Sequence, residues 1–430
     1  MVQIRKSCYV LLLLAIIVFL ASCAKISIST TPIAEETEKA IPEEIKEEAF
    51  HPPVKISLVA VGDIMVHGPQ LRAQYNPEIG EHDFTNNFQF IKLYIQEADL
   101  AIANLETTFG GKEKGYSSFP MFNSPDALAD ALKETGFHVI STANNHTIDT
   151  GKKGMIRTIE VIKDRGLEVI GTRKEENIKN YIIKDIKDIK LGLTAYTYET
   201  SIYGQYRTLN GIKIPKEIEG LINSFSYETL EEDLLRMKAT VDMMKNAGAE
   251  IIIFYLHWGE EYQRRPNRYQ RTIAEKLKGY GVDILFGSHP HVLQPIEFLE
   301  SEEDSSKTLV VYSMGNFLSN QRYEILENRY TEDGIIINVK IKKDFEKKEV
   351  TIEEVSYVPT WVYRYYPKGK AVYEIIPVMD ALENHIEYSI NNNETIWRID
   401  HSKNNTLQLM ESSNVSAYQR STLSKRNKIP

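Results

Sequence analysis

The sequence predicts an α/β layered fold with a mixed sheet, on three observations. Short apolar runs alternate with longer amphipathic segments. A glycine stands just past each of four such segments. Two late segments alternate in the manner of an antiparallel hairpin.

The apolar runs at 56–61, 100–103, 139–142, 191–196, 251–256, 284–286 and 309–312 are short enough for buried strands. Between them, 126–135, 154–165, 228–246 and 268–280 repeat apolar residues at helical spacing. Gly136, Gly166, Gly248 and Gly281 follow these segments at the position of a C-cap glycine. The segments 335–342 and 349–358 read as a hairpin. A last helix is expected over 371–388, and the Asn- and Ser-rich stretch 391–430 reads as a polar, disordered tail.

Composition bounds the function. The formal net charge of −9 argues against a nucleic-acid surface, which needs clustered Lys and Arg. The N-terminus reads as an export signal over 1–22: Arg5 and Lys6 are followed by an apolar run and then by Leu20-Ala21-Ser22-Cys23. That ending resembles a bacterial lipobox. The resemblance implies cleavage before Cys23 and a diacylglycerol on its thiol, hence an anchor at the extracytoplasmic face of the cell membrane. Residues 23–53, rich in Glu, Lys, Pro and Thr, read as an acidic disordered linker, and 54–390 as one folded domain. Only 2 cysteines occur, Cys8 and Cys23. A metal in the domain must therefore be held by His, Asp, Glu or Asn.

The chemistry lies at the ends of five apolar runs. The first reaches Asp63, the second Asn104 and Glu106, and the third Asn144, Asn145, His146 and Asp149. The fourth reaches His257, and the fifth His289 and His291. In open α/β sheets ligands bind at the carboxyl ends of strands, so these side chains are expected on one rim. Their donor atoms suit Zn²⁺, Mn²⁺ or Fe²⁺, one ion or two, with Glu106 as the natural bridge. His289 and His291 flank Pro290, and in an extended segment both would face one side. Asn145 and His146 are adjacent, so on an extended segment they point apart.

Taken in order, Val61-Gly62-Asp63-Ile64-Met65, Asn104-Leu105-Glu106, Asn144-Asn145-His146 with Asp149, His257-Trp258-Gly259 with Glu261 and Tyr262, Gly287-Ser288-His289-Pro290-His291, and Tyr312-Ser313-Met314-Gly315-Asn316-Phe317 resemble the CapA family of capsule and poly-γ-glutamate synthesis proteins. That family is similar to the calcineurin-like metallophosphatases. The resemblance covers about 55–361 and implies a four-layer α/β sandwich with two mixed β-sheets. It assigns Asp63, Glu106, Asn145, His257, His289 and His291 as metal ligands. It assigns His146 as the substrate-facing histidine; Asp149, three residues on, is expected from its spacing to orient that ring through a charged hydrogen bond. Asn104, Glu261 and Asn316 are candidate substrate contacts.

Two positions depart from the metallophosphatase pattern. Met65 stands where a ligand histidine belongs, with His67 nearby at a different spacing, and the bridge is Glu rather than Asp. Trp258 is expected to pack. The arginines Arg264, Arg265, Arg268 and Arg271 are expected as a solvated helix entrance able to meet an anion. His51, His82, His138, His385 and His401 stand outside the pattern.

The expected function is a surface lipoprotein of capsule or poly-γ-glutamate synthesis with a metal-dependent hydrolytic or transfer step. Its expected partners are membrane-embedded polyglutamate synthase subunits and an anionic polymer or phosphoester. The alternatives are a non-catalytic assembly factor and an extracellular phosphodiesterase or nucleotidase. Metal content and a substrate panel separate the three.

Overall fold

A computed structural model describes residues 51–200, 206–301, 307–411, 413 and 415–417. The expected signal segment, Cys23 and the linker as far as residue 50 lie outside the described residues. No helix among the described residues is long and apolar enough to cross a membrane.

The first part of the domain lays down β1 (Val54–Ile64), β2 (Leu100–Leu105), β3 (Val139–Ser141) and β4 (Glu168–Ile170), paired in parallel in that order. Helix α1 (Ala127–Thr135) precedes β3 and α2 (Gly151–Asp164) precedes β4. The middle of the chain forms β5 (Ile182–Ile186), β6 (Ile189–Tyr198), β7 (Ser224–Phe225), β8 (Ile251–His257), β9 (Ile284–Ser288), β10 (Ile296–Glu300) and β11 (Lys307–Val311). These make a second sheet in the order β7-β6-β8-β9-β11-β10, with β5 antiparallel to β6. Helices α3 (Leu230–Asn246) and α4 (Arg268–Tyr280) are its crossovers. The chain then returns. β12 (Asn316–Leu318) pairs in parallel with the end of β1, and β13 (Asp333–Asp344), β14 (Glu349–Tyr365) and β15 (Val372–Pro377) extend the first sheet as β15-β14-β13-β1-β2-β3-β4.

Strand periodicity builds the layers. On β1, Ile56, Leu58 and Ala60 face a core shared with Leu191, Leu193, Ile253 and Phe286 of the second sheet. Val59 and Val61 face the other way, toward Leu128 and Leu132 of α1 and Ile159 and Ile162 of α2. The outer face of the second sheet, with Ile252, Phe254 and Leu256, is covered by Leu234 and Val241 of α3 and Ile273 and Leu277 of α4. The architecture is helix, sheet, sheet, helix: a four-layer sandwich of two mixed sheets. The expected C-cap glycines at 136, 166, 248 and 281 all adopt positive φ, where a side chain is disfavoured.

The C-terminal expectations need correction. Residues 371–388 do not form one helix. Val372–Pro377 is strand β15, paired along β14, and only α5 (Val378–Glu383) is helical. The β-branched and aromatic residues of that stretch favour the sheet edge. The stretch from 391 is not a uniformly disordered tail, because α6 spans Asn393–Met410, capped by the Asn392 side chain on the Thr395 amide. Its buried face is largely polar, with Ser402, Asn405 and Thr406 beside Ile399 and Met410, so an apolar periodicity does not reveal it. Residues 418–430 lie outside the described residues.

A candidate metal centre at the strand ends

Asp63 ends β1 where the backbone is pressed against the loop before β12. A Cβ on Gly62 would lie 2.0 Å from the Gly315 carbonyl oxygen, so only glycine fits. The Asp63 amide donates to that same oxygen at 3.0 Å. Its buried carboxylate accepts from Asn104 Nδ2 at 2.8 Å and from the His289 amide at 3.1 Å, and its Oδ2 lies 3.1 Å from His291 Nδ1. Burial raises the Asp63 pKa, but the hydrogen bond and charge of His291 outweigh it and hold the carboxyl well below the usual range.

Glu106 leaves β2 with its amide bonded to Ile64 O at 3.0 Å. Its Oε1 lies 3.6 Å from both His257 Nε2 and His291 Nε2. Both carboxylate oxygens are buried without a hydrogen-bond partner, as is Nδ1 of His289. Burial, and then the neighbouring Asp63 charge, push the Glu106 carboxyl well above its ordinary value.

His257 ends β8 in register with Ser288 of β9. Its Nδ1 meets Ser288 Oγ at 3.0 Å and its Nε2 meets Asn145 Oδ1 at 3.0 Å. Burial pushes His257 down to about 3 and His289 well below its usual value. The rings are therefore neutral, the state in which imidazole ligates a metal.

His289 and His291 do not converge by strand alternation, as the sequence suggests. Both occupy left-handed backbone, at φ 97° and 57°, and the turn between them brings the ring centroids to 5.8 Å. Two non-glycine residues held there mark stored strain, of a kind that clusters at functional sites.

The donor set fits a divalent transition metal. Glu106, His257 and His289 place one ligand atom each within 4.8 Å of one another, and Asp63, Glu106 and His291 do the same. Both groups share Glu106, whose stranded oxygens a cation would satisfy. Asn145 adds an amide oxygen beside His257. Ligand bonds of about 2.0–2.2 Å place neighbouring donors about 3 Å apart, which is the Asn145–His257 separation. A third group, exposed Glu261 with His289 and His291, borders the same place.

The remaining expected residues fall into place around this centre. His146 packs against Phe122 with ring centroids 4.7 Å apart, and its Nδ1 lies 2.7 Å from Asp149 Oδ2, which also accepts the Phe122 amide at 2.6 Å. Asn145 and His146 thus serve different neighbours. Asn104 and Asn316, candidate substrate contacts in the sequence, instead have both ends of their amides engaged by protein. Asn104 donates to Asp63 and accepts from Asn144, and Asn316 Oδ1 faces His291 while its Nδ2 donates to Thr331 O. They hold the side chains of the candidate ligands Asp63 and His291.

Met65, which stands where the metallophosphatase pattern has a ligand histidine, is buried, and its backbone amide donates to Leu318 O at 2.8 Å. His67 does not replace it in the ligand groups found among the described residues, and its Nδ1 accepts the Asn320 amide at 3.2 Å. Burial, the largest cause, pushes His67 down to about 4.

Trp258 is fully buried and donates to Tyr312 O at 2.9 Å. Arg264 and Arg268 lie over the rings of Tyr330 and Tyr269, and Arg271 lies 3.5 Å from Glu297. Of the histidines outside the pattern, His138 accepts the Ala101 amide and His401 stacks on Trp397.

Sequence reasoning missed Ser288, Phe122 and Tyr198, whose ring lies 4.6 Å from His289. Ser288 was legible beside the histidine pair. Phe122 and Tyr198 reach the site from other elements, and no local pattern marks them.

Residues 57–321 match the family described as bacterial capsule synthesis protein PGA_cap. The chain is 27% identical over 274 residues to the capsule biosynthesis protein CapA of Bacillus anthracis, covering 62% of this chain and 60% of that protein's length. It is 26% identical over 319 residues to the PGA biosynthesis protein CapA of Bacillus subtilis (strain 168), covering 71% and 73%. Among solved structures, the calcineurin-like phosphoesterase YfkN from Bacillus subtilis superposes with a TM-score of 0.41 at 14% identity, covering 83% of this chain and 99% of that one. A novel phosphatase of Mycoplasma pneumoniae superposes at 0.37 and 15% identity, covering 71% and 93%. The matched span holds every strand-end residue from Asp63 to Asn316, and the chain belongs to the bacterial capsule synthesis protein family.

Proposed function

We propose that this protein is a membrane-anchored surface lipoprotein of capsule or poly-γ-glutamate synthesis, in which a divalent-metal centre supports a hydrolytic or transfer step on an anionic polymer or a phosphoester. The observation that carries the reading is Glu106, a buried carboxyl with both oxygens unpartnered between two sets of histidines. Burying such a group without compensation costs about 1–3 kcal/mol, which a bound cation would offset. Asp63, His291 and Glu106 would hold one ion, and His257, His289, Asn145 and Glu106 another. A bound divalent ion would polarise an acyl or phosphoryl oxygen and neutralise charge developing on it. Asn104, Ser288 and Asn316 fix the ligand side chains. His146, oriented by Asp149, serves the substrate side and carries a proton to or from the reacting oxygen.

Anchoring through Cys23 and association with synthase subunits complete the proposal. Their support is the pattern of residues 1–23 and the names of the Bacillus relatives. The test uses full chain purified without chelators and offered Mn²⁺ or Zn²⁺. Between one and two equivalents of metal are expected, with turnover of γ-glutamyl peptides or of bis-p-nitrophenyl phosphate that Glu106→Gln abolishes. A fully loaded protein that turns over neither class would be a metal-stabilised assembly factor instead.

A further inference from the structure

His67 and His146 stand against the same aromatic ring. The Phe122 ring meets His67 edge-on at 5.2 Å and His146 edge-on at 4.7 Å. Phe122 thus joins His67 to His146, whose chain neighbour Asn145 touches the His257 ring of the candidate metal centre. The tautomers of His67 and His146 are set by different partners. A backbone amide can only donate, so the Asn320 N–H on His67 Nδ1 leaves the proton on Nε2. A carboxylate can only accept, so Asp149 on His146 Nδ1 draws a proton there, and the neutral tautomer it selects has its lone pair on Nε2. The His67 backbone is clamped as well, because its amide donates to Gln70 Oε1 at 2.8 Å.

We infer that His67 is a second substrate-side histidine, a fixed Nε2–H donor to an anionic or developing-anionic oxygen of the substrate, complementary to the proton acceptor His146 across Phe122. This rests on the metal-dependent reaction proposed above and deepens it. No bond forms or breaks at His67, which contributes a hydrogen bond, while proton transfer belongs to His146. The pair is asymmetric by construction: one ring only donates, and the other accepts before it donates.

The probe is inorganic phosphate, with full chain loaded with Zn²⁺. Nitrogen-15 spectra of the histidine rings should show His67 protonated at Nε2 alone, with that N–H shifting as phosphate is added. His67→Phe should weaken phosphate binding about tenfold, the size of one hydrogen bond to a charged group, with metal content and melting temperature unchanged. His67→Gln, whose amide N–H reaches a similar distance, should restore most of it. If the protein turns over a substrate, His67→Phe should lower kcat more than it changes KM.

Three results would overturn the assignment: a proton on His67 Nδ1, phosphate binding by His67→Phe as tight as the wild type, or metal lost with the ring. A protein that binds phosphate through His67 yet turns over nothing would refute the proposed reaction and leave His67 as an anion-binding donor.

Discussion

Glu106 is a buried carboxyl with neither oxygen hydrogen-bonded, set between His257 and His291, an arrangement that a bound cation would complete. The neighbouring groups are tuned consistently. His257 and His289 are held neutral by burial, while the hydrogen bond and charge of His291 keep Asp63 ionised. At the same scale, Asn145 and His146 divide roles that the chain places side by side. Asn145 touches His257, and His146 touches Asp149 and Phe122. His289→Ala should therefore lose metal affinity, by about 100-fold or more given that even supporting residues cost 10–100-fold. His146→Ala should keep its metal and lose about 10²–10⁴-fold in rate. Elemental analysis beside steady-state kinetics reads both. Equal metal loss in the two variants would make His146 a ligand.

Helix α6 illustrates how an element can be held by polar contacts. Arg398 pairs with Glu332 at 2.7 Å, and Glu332 also takes Arg322 at 3.2 Å and the Trp361 indole at 3.0 Å. Next to it, fully buried Asp333 faces Asn405 of α6. Burial pushes the Asp333 carboxyl up to about 7, against hydrogen bonds from Ser402 and Asn405. A carboxyl whose folded value is raised favours folding while protonated. Its contribution is complete below the unfolded value of 3.8 and is lost as pH rises toward about 7. Asp333→Asn should accordingly melt above the wild type at pH 8, by a few kcal/mol of stability, and match it at pH 4. Calorimetry across that range checks the sign. A variant less stable than the wild type at pH 8 would show that the ionised carboxylate stabilises the attachment.

At the scale of the whole molecule, the first sheet is completed from distant parts of the chain. The family match ends at 321, yet β13 supplies Ile335, Ile337, Val339 and Ile341, and α6 supplies Met410, to the core between the sheets. The strand that carries Asp63 is thus backed by residues beyond the matched span, in the register Val54↔Lys343 to Val61↔Ile336. The N-terminal anchor belongs to the proposal at this scale. Cys23→Ser should take up no labelled fatty acid and should keep its leader, as mass spectrometry and metabolic labelling would show. Continued lipid incorporation would sink the lipoprotein reading.

How much of this was legible before folding depends on the range of the interactions. Strands, helices and C-cap glycines follow from periodicities of 2 and 3.6 residues and from the φ that glycine tolerates, all local properties. The candidate ligand residues were legible too, because a strand end is a local feature and each cluster lies within a few residues of one. The pairing of β12 with β1, the left-handed turn at His289 and His291, and the approach of Phe122 and Tyr198 depend on segments far apart in sequence. So does the difference between Asn104 as a substrate contact and Asn104 as the hydrogen-bond donor to Asp63. The strand β15 and helix α6 were misread for the same reason. Their stability comes from β14 and from a polar cluster around Glu332, and neither partner is visible in their own residues. The sequence by itself determined which side chains could bind a metal. Only the tertiary structure decided which of them share one centre, because convergence of five strand ends is a property of the sheets and not of any strand.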